Sequence, residues 1–314
     1  MQSVLVTGGA GFIGSHLCDK LIKEGYEVIC LDNLLTGSKK NVEHLLDNPN
    51  FDFVEADVVQ PLIFKDRSLN YIFHLASPAS PIDYQNYPEE TLLSNSMGTL
   101  NVLKLAKETG AKVLVASTSE VYGDPLEHPQ KETYFGNVNT FGPRSCYDES
   151  KRFAESATYV YFRKHDIDAR IIRIFNTYGP RMQKDDGRVV SNFIMQSLSG
   201  TPIKVDGDGS QTRSFCYVDD LVEGIAKAMF VSGTTGEIFN LGNPDEFTIK
   251  ELAEKIIKLT DSKSEIEYSG TFREDDPMRR QPDITKAKEI LGWEPKTDLE
   301  AGLQKTIEFY KSNF

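Results

Sequence analysis

The sequence predicts an α/β fold, a doubly wound parallel sheet followed by a smaller C-terminal lobe. Three observations carry this expectation. Short β-rich runs alternate with helical patterns through the first half of the chain. A glycine-rich turn joins the first of those runs to the first helical pattern. Beyond about residue 176 the elements shorten and Gly and Pro become more frequent. At 314 residues the chain is also long for one compact core, so one large and one smaller lobe is the natural arrangement.

In chain order, Ser3–Thr7 reads as a strand and Phe12–Lys23 as a helix. Further strands are expected at 27–31, Phe51–Glu55, 71–75 and 112–116, separated by helical segments. Long amphipathic helices are expected over 91–108 and about 144–165, and Ala169–Ile174 resumes the sheet. The expected boundary puts residues 1–175 in the first lobe and mainly 176–314 in the second, with returns to the first lobe near 210–245. Segments 219–229 and 237–241 are the ones that fit those returns.

Composition narrows the function classes. Hydrophobic residues make up 39%, enough for a buried core. No run approaches ~18 uninterrupted apolar residues, so no transmembrane helix is expected. Net charge is −12, from 47 acidic and 35 basic residues, and no window forms the basic patch that a nucleic-acid surface needs. The cysteines Cys18, Cys30, Cys146 and Cys216 show neither paired spacing nor neighbouring His that would suggest zinc, so no metal site is expected. The N-terminus runs from Met1 and Gln2 straight into Val4-Leu5-Val6, without a basic leader or cleavage site. A soluble protein of the reducing cytoplasm is the expectation.

Gly8, Gly11 and Gly14 are spaced G-x-x-G-x-x-G between an apolar strand and an apolar helix. Such glycines allow a tight turn, close approach of backbone to a pyrophosphate, and close packing of helix on strand. The helix N-terminus then offers free N–H groups and a favourable dipole to the phosphates. The second strand leads to Asp32, whose carboxylate can accept hydrogen bonds from adenosine ribose hydroxyls and would repel a 2′-phosphate. The expected cofactor is therefore NAD, on a Rossmann-type sheet. Asp57 and Val58, after the third strand, are placed to flank the adenine, although Asp57 also suits a plain turn.

Tyr147-Asp-Glu-Ser-Lys151 puts a phenol and an ammonium at i and i+4 on one helix face. A tyrosine of ordinary pKa, ~10, is a poor base at neutral pH, and a nearby lysine cation together with a nicotinamide charge favours its phenolate. Such a tyrosine can remove a hydroxyl proton while hydride leaves the same carbon. Ahead of the pair, Ala116-Ser-Thr-Ser-Glu-Val-Tyr-Gly123 follows a predicted strand, and strand carboxyl ends are where ligands bind in doubly wound sheets. Thr118 can assist at the sugar hydroxyl near Tyr147, and Glu120 can act on a neighbouring position.

These residues resemble the extended short-chain dehydrogenase/reductase family, which acts on nucleotide sugars, and the similarity runs over nearly the whole chain. Within it the match is strongest to the branch that decarboxylates UDP-glucuronate. The resemblance rests on His74-Leu-Ala-Ser-Pro-Ala-Ser-Pro81, Ser117 to Asp124, Gly142-Pro-Arg-Ser-Cys-Tyr-Asp-Glu-Ser-Lys151 and Arg173-Ile-Phe-Asn-Thr-Tyr-Gly-Pro-Arg-Met182. Asp186 to Asn192, Gly209 to Arg213 and Arg280-Gln-Pro-Asp283 extend it. It implies that Tyr147 and Lys151 are the hydride-transfer pair, with Thr118 assisting. It also implies that Glu120 is an acid/base residue near C5 and that Arg280 binds, or protonates, on the substrate side. Implied NAD contacts are Gly8, Gly11, Phe12, Ile13, Gly14, Asp32, Asn33, Thr36, Gly37, Asp57, Val58, Leu75, Ala76 and Ser77, together with Tyr147 and Lys151. Implied UDP-sugar contacts are Glu120, Tyr147, Asn176, Arg188, Val189, Val205, Arg213 and Arg280, with bidentate guanidinium–phosphate geometry a reason to expect arginine on the diphosphate.

The implied reaction is oxidation at C4 of UDP-glucuronate, loss of carbon dioxide from the resulting β-keto acid, and return of the hydride to give UDP-xylose. Two enzymatic alternatives stand beside it. The related 4,6-dehydratases typically carry an Asp-Glu pair in this Ser-Thr-x-Glu segment, because expelling the 6-hydroxyl needs an extra acid; here that position is Ser119. A UDP-sugar 4-epimerase uses the same Tyr147 and Lys151, although Ser77 to Pro81 looks more like the decarboxylases. A non-catalytic NAD-binding module is a third reading, opposed by the intact Tyr and Lys. The resemblance further implies a homodimer in which the helices at 91–108 and 144–165 pair into a four-helix bundle. Animal and plant relatives can carry a membrane anchor ahead of this domain, and a chain beginning at its first strand is expected to be a form without one.

Overall fold

The computed structural model describes every residue except 65–67, 272–276 and 314. Seven parallel strands form the main sheet: β1 (Ser3–Thr7), β2 (Glu27–Asp32), β3 (Phe51–Glu55), β4 (Tyr71–His74), β5 (Lys112–Thr118), β6 (Ala169–Ile174) and β7 (Ile238–Leu241). Their spatial order is β7-β6-β5-β4-β1-β2-β3. Val4 of β1 pairs with Val28 on one side and Tyr71 on the other, so the strand order reverses beside β1, and ligands bind at such a reversal in open α/β sheets.

The strands are nearly continuous apolar runs because both faces are covered. Successive side chains alternate: Val4, Val6, Val28 and Cys30 pack in one core, and Leu5, Ile29 and Leu31 in the other. The first face is covered by α1 (Phe12–Lys23) through Leu17, Cys18 and Leu21, joined by Val218–Phe230 through Leu221, Val222 and Ile225. The second face is covered by α2 (Thr99–Thr109) and α3 (Ser145–His165), through Val102, Leu103, Ala154 and Ala157.

Some elements differ from the sequence expectation. Strand β5 runs two residues past 116 and carries Ser117 and Thr118 at its end. The single helix expected over 91–108 is instead a helix at Pro88–Leu93, a π-helical turn at Ser94–Gly98, and then α2. The widened turn has local causes. A Cβ at Gly98 would stand 2.7 Å from Val58 Cγ2, so the backbone passes very close to the loop after β3. Asn95, buried in the same turn, donates to Ser150 Oγ at 3.0 Å and ties the turn to α3. Such π-turns are frequent at functional sites.

Beyond β6 the chain builds short pairings. Thr212–Ser214 lies antiparallel to Glu246–Thr248 and parallel to Arg279–Arg280. Ile203–Val205 pairs in parallel with Ile266–Tyr268. Segment Ile238–Leu241 returns to the main sheet as β7 beside β6. Among the described residues no helix is long and apolar enough to cross a membrane.

Candidate active site

One cavity of ≈ 550 Å³ runs along the carboxyl ends of the strands and into the cleft with the second lobe. At its floor the glycine turn is made almost wholly of backbone. Gly8 has φ +71°, and a Cβ there would stand 2.8 Å from Ala76 Cα. A Cβ at Gly14 would stand 2.1 Å from the Gly8 carbonyl oxygen. Only hydrogen fits at either place, so α1 begins flush against the turn. Its first-turn N–H groups have no partner within the helix and face the cavity beside Phe12 and Ile13.

Asp32, at the end of β2, accepts from Ala10 N at 2.9 Å and Leu34 N at 2.8 Å. Burial raises its pKa and the two N–H donors oppose that. A carboxylate has about four acceptor positions, so two remain for hydroxyls. Asp57 does serve its turn, accepting from Val59 N at 2.8 Å, but it also receives Asn33 Nδ2 at 3.1 Å and lines the cavity. The contacts the sequence assigned to NAD (the glycines, Phe12, Ile13, Asp32, Asn33, Thr36, Gly37, Asp57, Val58 and Leu75 to Ser77) all line this half. The backbone cradle and the acid beyond it fit the diphosphate and a ribose of a dinucleotide.

Tyr147 and Lys151 project from α3 into the same cavity, with Lys151 Nζ 5.8 Å from the centre of the Tyr147 ring. Their helix is fixed from behind. Arg173 on β6 holds Glu155 with two bonds of 2.9 and 2.7 Å, and Ser117 Oγ donates to Glu155 at 2.6 Å. Lys151 Nζ donates to the Ala116 carbonyl at 2.9 Å. The Tyr147 ring stacks on Tyr84 at 5.1 Å, and its hydroxyl lies on the Thr118 side of the cavity. The expected charge state is not that of the protein alone. Burial pushes the phenol well above its ordinary range and lowers Lys151 to about 7, because a dry site disfavours the charged form of each.

Glu120 follows Thr118 on a short 3₁₀ turn and lies between two guanidiniums, accepting from Arg144 and from Arg280. Burial alone would raise its pKa, but the two cations outweigh burial and hold it at about 2. In this state Glu120 is a carboxylate and an acceptor. Arg144, missed by the sequence reading, is the residue before α3 and three positions ahead of Tyr147. The stretch Gly142-Pro-Arg144 was the available signal, and nothing local in it points to Glu120.

The second lobe closes the cavity with Asn176, Arg188, Val189, Arg213 and Arg280. Arg188 already holds Asp186 in a bidentate pair at 2.5 and 2.6 Å. Arg213 donates to the Thr212 carbonyl at 2.8 Å while lining the cavity. Val205 is a correction. It is 1% exposed and packs in the core, whereas its neighbours Lys204 and Asp206 line the cavity. In an extended segment alternate residues face opposite ways, which puts Val205 on the inner side.

The chain matches the family described as GDP-mannose 4,6 dehydratase over residues 5–306. It is 55% identical to UDP-glucuronic acid decarboxylase 1 of Arabidopsis thaliana over 98% of this chain and 70% of that protein. It is 53% identical to UDP-glucuronic acid decarboxylase 1 of Danio rerio over 98% of this chain and 72% of that one. Among solved structures, UDP-glucose 4-epimerase of Thermotoga maritima with UDP-glucose superposes with a TM-score of 0.91 at 34% identity, covering 99% of both chains. UDP-glucuronic acid 4-epimerase of Bacillus cereus with UDP-glucuronic acid and NAD gives 0.89 at 28% identity, covering 100% of both.

Proposed function

The chain belongs to the UDP-glucuronic acid decarboxylases of the extended short-chain dehydrogenase/reductase family, and from that membership we propose a role for each residue of its site. The enzyme converts UDP-glucuronate to UDP-xylose with NAD as cofactor. The glycine turn, Asp32 and Leu75 to Ser77 would hold NAD, which would supply a hydride acceptor and donor for C4 and a positive charge favouring the Tyr147 phenolate. Tyr147 takes the proton of the C4 hydroxyl, with Thr118 orienting that hydroxyl, and gives the proton back at the end. Lys151 is held by the Ala116 carbonyl beside the Tyr147 ring, where its ammonium form favours the phenolate.

Once C4 is a ketone, the bond from C5 to the carboxylate carbon breaks. Its electron pair enters an enolate spanning C4 and C5, and carbon dioxide departs without an acid to help it. Arg280 and Arg144 stabilise the anionic side of that step electrostatically, and a proton taken from solvent reaches C5 along the Glu120–Arg280 side of the cavity. Asn176, Arg213, Val189 and, after exchanging its Asp186 partner, Arg188 receive the UDP portion. The first lobe, 1–175 with the return through β7, carries the cofactor, and most of 176–314 carries the substrate.

The observation that carries this reading is Glu120 between two guanidiniums, in the same cavity as Tyr147, with Ser119 in the position where a leaving-group acid would be needed. Incubation with UDP-glucuronate and NAD, with product identification by NMR and mass, tests it. UDP-xylose with loss of carbon dioxide is the expected product. UDP-galacturonate would move the assignment to a 4-epimerase.

We further place the enzyme in the cytoplasm as a homodimer. The cysteines are all free. Met97 on the π-turn and Phe153, Tyr159 and Val160 on α3 are 43–63% exposed, an apolar surface on the helices expected to pair across a two-fold axis. Light scattering at working concentration should give twice the chain mass.

A further inference from the structure

Behind the Glu120 cluster lies a second carboxyl that the mechanism above does not use. Asp148 is the residue after Tyr147 on α3, 6% exposed, and its side chain does not line the cavity. Its Oδ2 is 4.0 Å from Arg144 Nε, and its Oδ1 is buried without a hydrogen-bond partner. Arg144 therefore stands between two carboxyls, Glu120 in front and Asp148 behind.

We propose that Asp148 is a positioning residue for the decarboxylation, holding Arg144 against Glu120 and taking up a proton when the substrate's carboxylate joins the cluster. The charge count motivates this. Among the described contacts, the Glu120 and Asp148 carboxylates already match the charge of the Arg144 and Arg280 guanidiniums. A third carboxylate, that of UDP-glucuronate, brings one uncompensated negative charge into a nearly dry site, and such a charge is costly unless a group neutralises. Glu120, held directly by both cations, is the wrong group to take the proton. Asp148 has only the longer contact, and burial first, then the Glu120 charge, push its carboxyl up to about 7. The groups facing it are Arg144, Cys146, Tyr147 and Glu149 along α3 and its entry, Glu120 beyond β5, Arg280 from the second lobe, and Tyr84 from the helix Pro81–Asn86. The Tyr84 hydroxyl is also buried and without a partner.

This inference rests on the decarboxylase reading, and the two can fail separately. Turnover itself consumes a proton, so the test uses the NAD-loaded Tyr147→Phe enzyme, titrated calorimetrically at pH 7 in buffers of different ionisation enthalpy. UDP-glucuronate should take up roughly half a proton more per site than UDP-glucose, which lacks the carboxylate. Adding Asp148→Asn should remove that difference, and Asp148→Glu should keep it. In the otherwise native enzyme, KM for UDP-glucuronate should rise as pH increases above 7, by up to ~10-fold per unit, and Asp148→Asn should flatten that rise. Equal uptake with both sugars in the Tyr147→Phe enzyme overturns the proposal, whether or not the Asp148 variants fold. Uptake that survives Asp148→Asn overturns it too. Failure of the decarboxylase reading shows differently, as no UDP-xylose from the native enzyme.

Discussion

At the glycine turn the cavity is shaped by backbone from a single stretch of sequence, where a Cβ at Gly14 would meet the Gly8 carbonyl oxygen at 2.1 Å. On the opposite wall, Glu120 is fixed by charged side chains 24 and 160 positions away in the chain. The first region resists any change of size, and the close approaches at Gly8 and Gly14 are all to backbone atoms. The second tolerates changes of size better, but its geometry depends on charge and so on pH. Binding and chemistry in this enzyme are therefore vulnerable to different perturbations.

The largest expected effect lies between the two regions. Tyr147→Phe should lower kcat by roughly 10³–10⁴-fold, with NAD affinity by calorimetry within about twofold of the native value. A comparable loss of NAD affinity would mean that Tyr147 belongs to the cradle and not to the chemistry.

Next comes the charged wall. Arg144→Met should lower kcat by roughly 100-fold and move the acid limb of the pH–rate profile upward. The sign follows from Glu120, whose folded pKa of about 2 lies below its unfolded value. Its pairing stabilises fully above the unfolded pKa of ~4.3 and is lost as pH falls through about 2. With one cation gone the folded pKa rises, so both activity and melting temperature should begin to fall at a higher pH. An unmoved acid limb would break the contrast between the two regions.

For the cradle, Gly14→Ala should weaken NAD binding at least ~10-fold and cost about 1–3 kcal/mol of stability by overpacking. Unlike the Arg144 effect, this loss should be the same from pH 6 to pH 8. The smallest functional effect is expected at Val205. Val205→Ala should cost about 1–3 kcal/mol in a denaturant melt and leave KM for UDP-glucuronate within about twofold, because the side chain belongs to the core.

The same contrast explains what the sequence made legible. Strands buried on both faces leave apolar runs, and the glycine spacing records a backbone constraint locally, so the sheet and the cofactor contacts could be read directly. Tyr147 and Lys151 share a helix face and were readable by spacing. Arg144, Asp148 and the Arg188–Asp186 pair were not, because a charged residue's partner is set by tertiary contact, and no local pattern ties position 144 to 120 or 280. Val205 was misplaced although the period of an extended segment puts Lys204 and Asp206 toward the cavity instead. The π-turn at Ser94–Gly98 was invisible to a helical pattern, since its cause is the close approach of Gly98 to Val58.

In the proposed mechanism Tyr147 and the Glu120 cluster act on adjacent carbons of one substrate. Turnover of UDP-glucuronate in deuterium oxide tests this most directly. The expected product is UDP-xylose carrying one deuterium at C5, in a single configuration, and none at C4, because the C4 hydrogen never exchanges with solvent. Deuterium at C4, or a product that keeps its carboxylate, would contradict it.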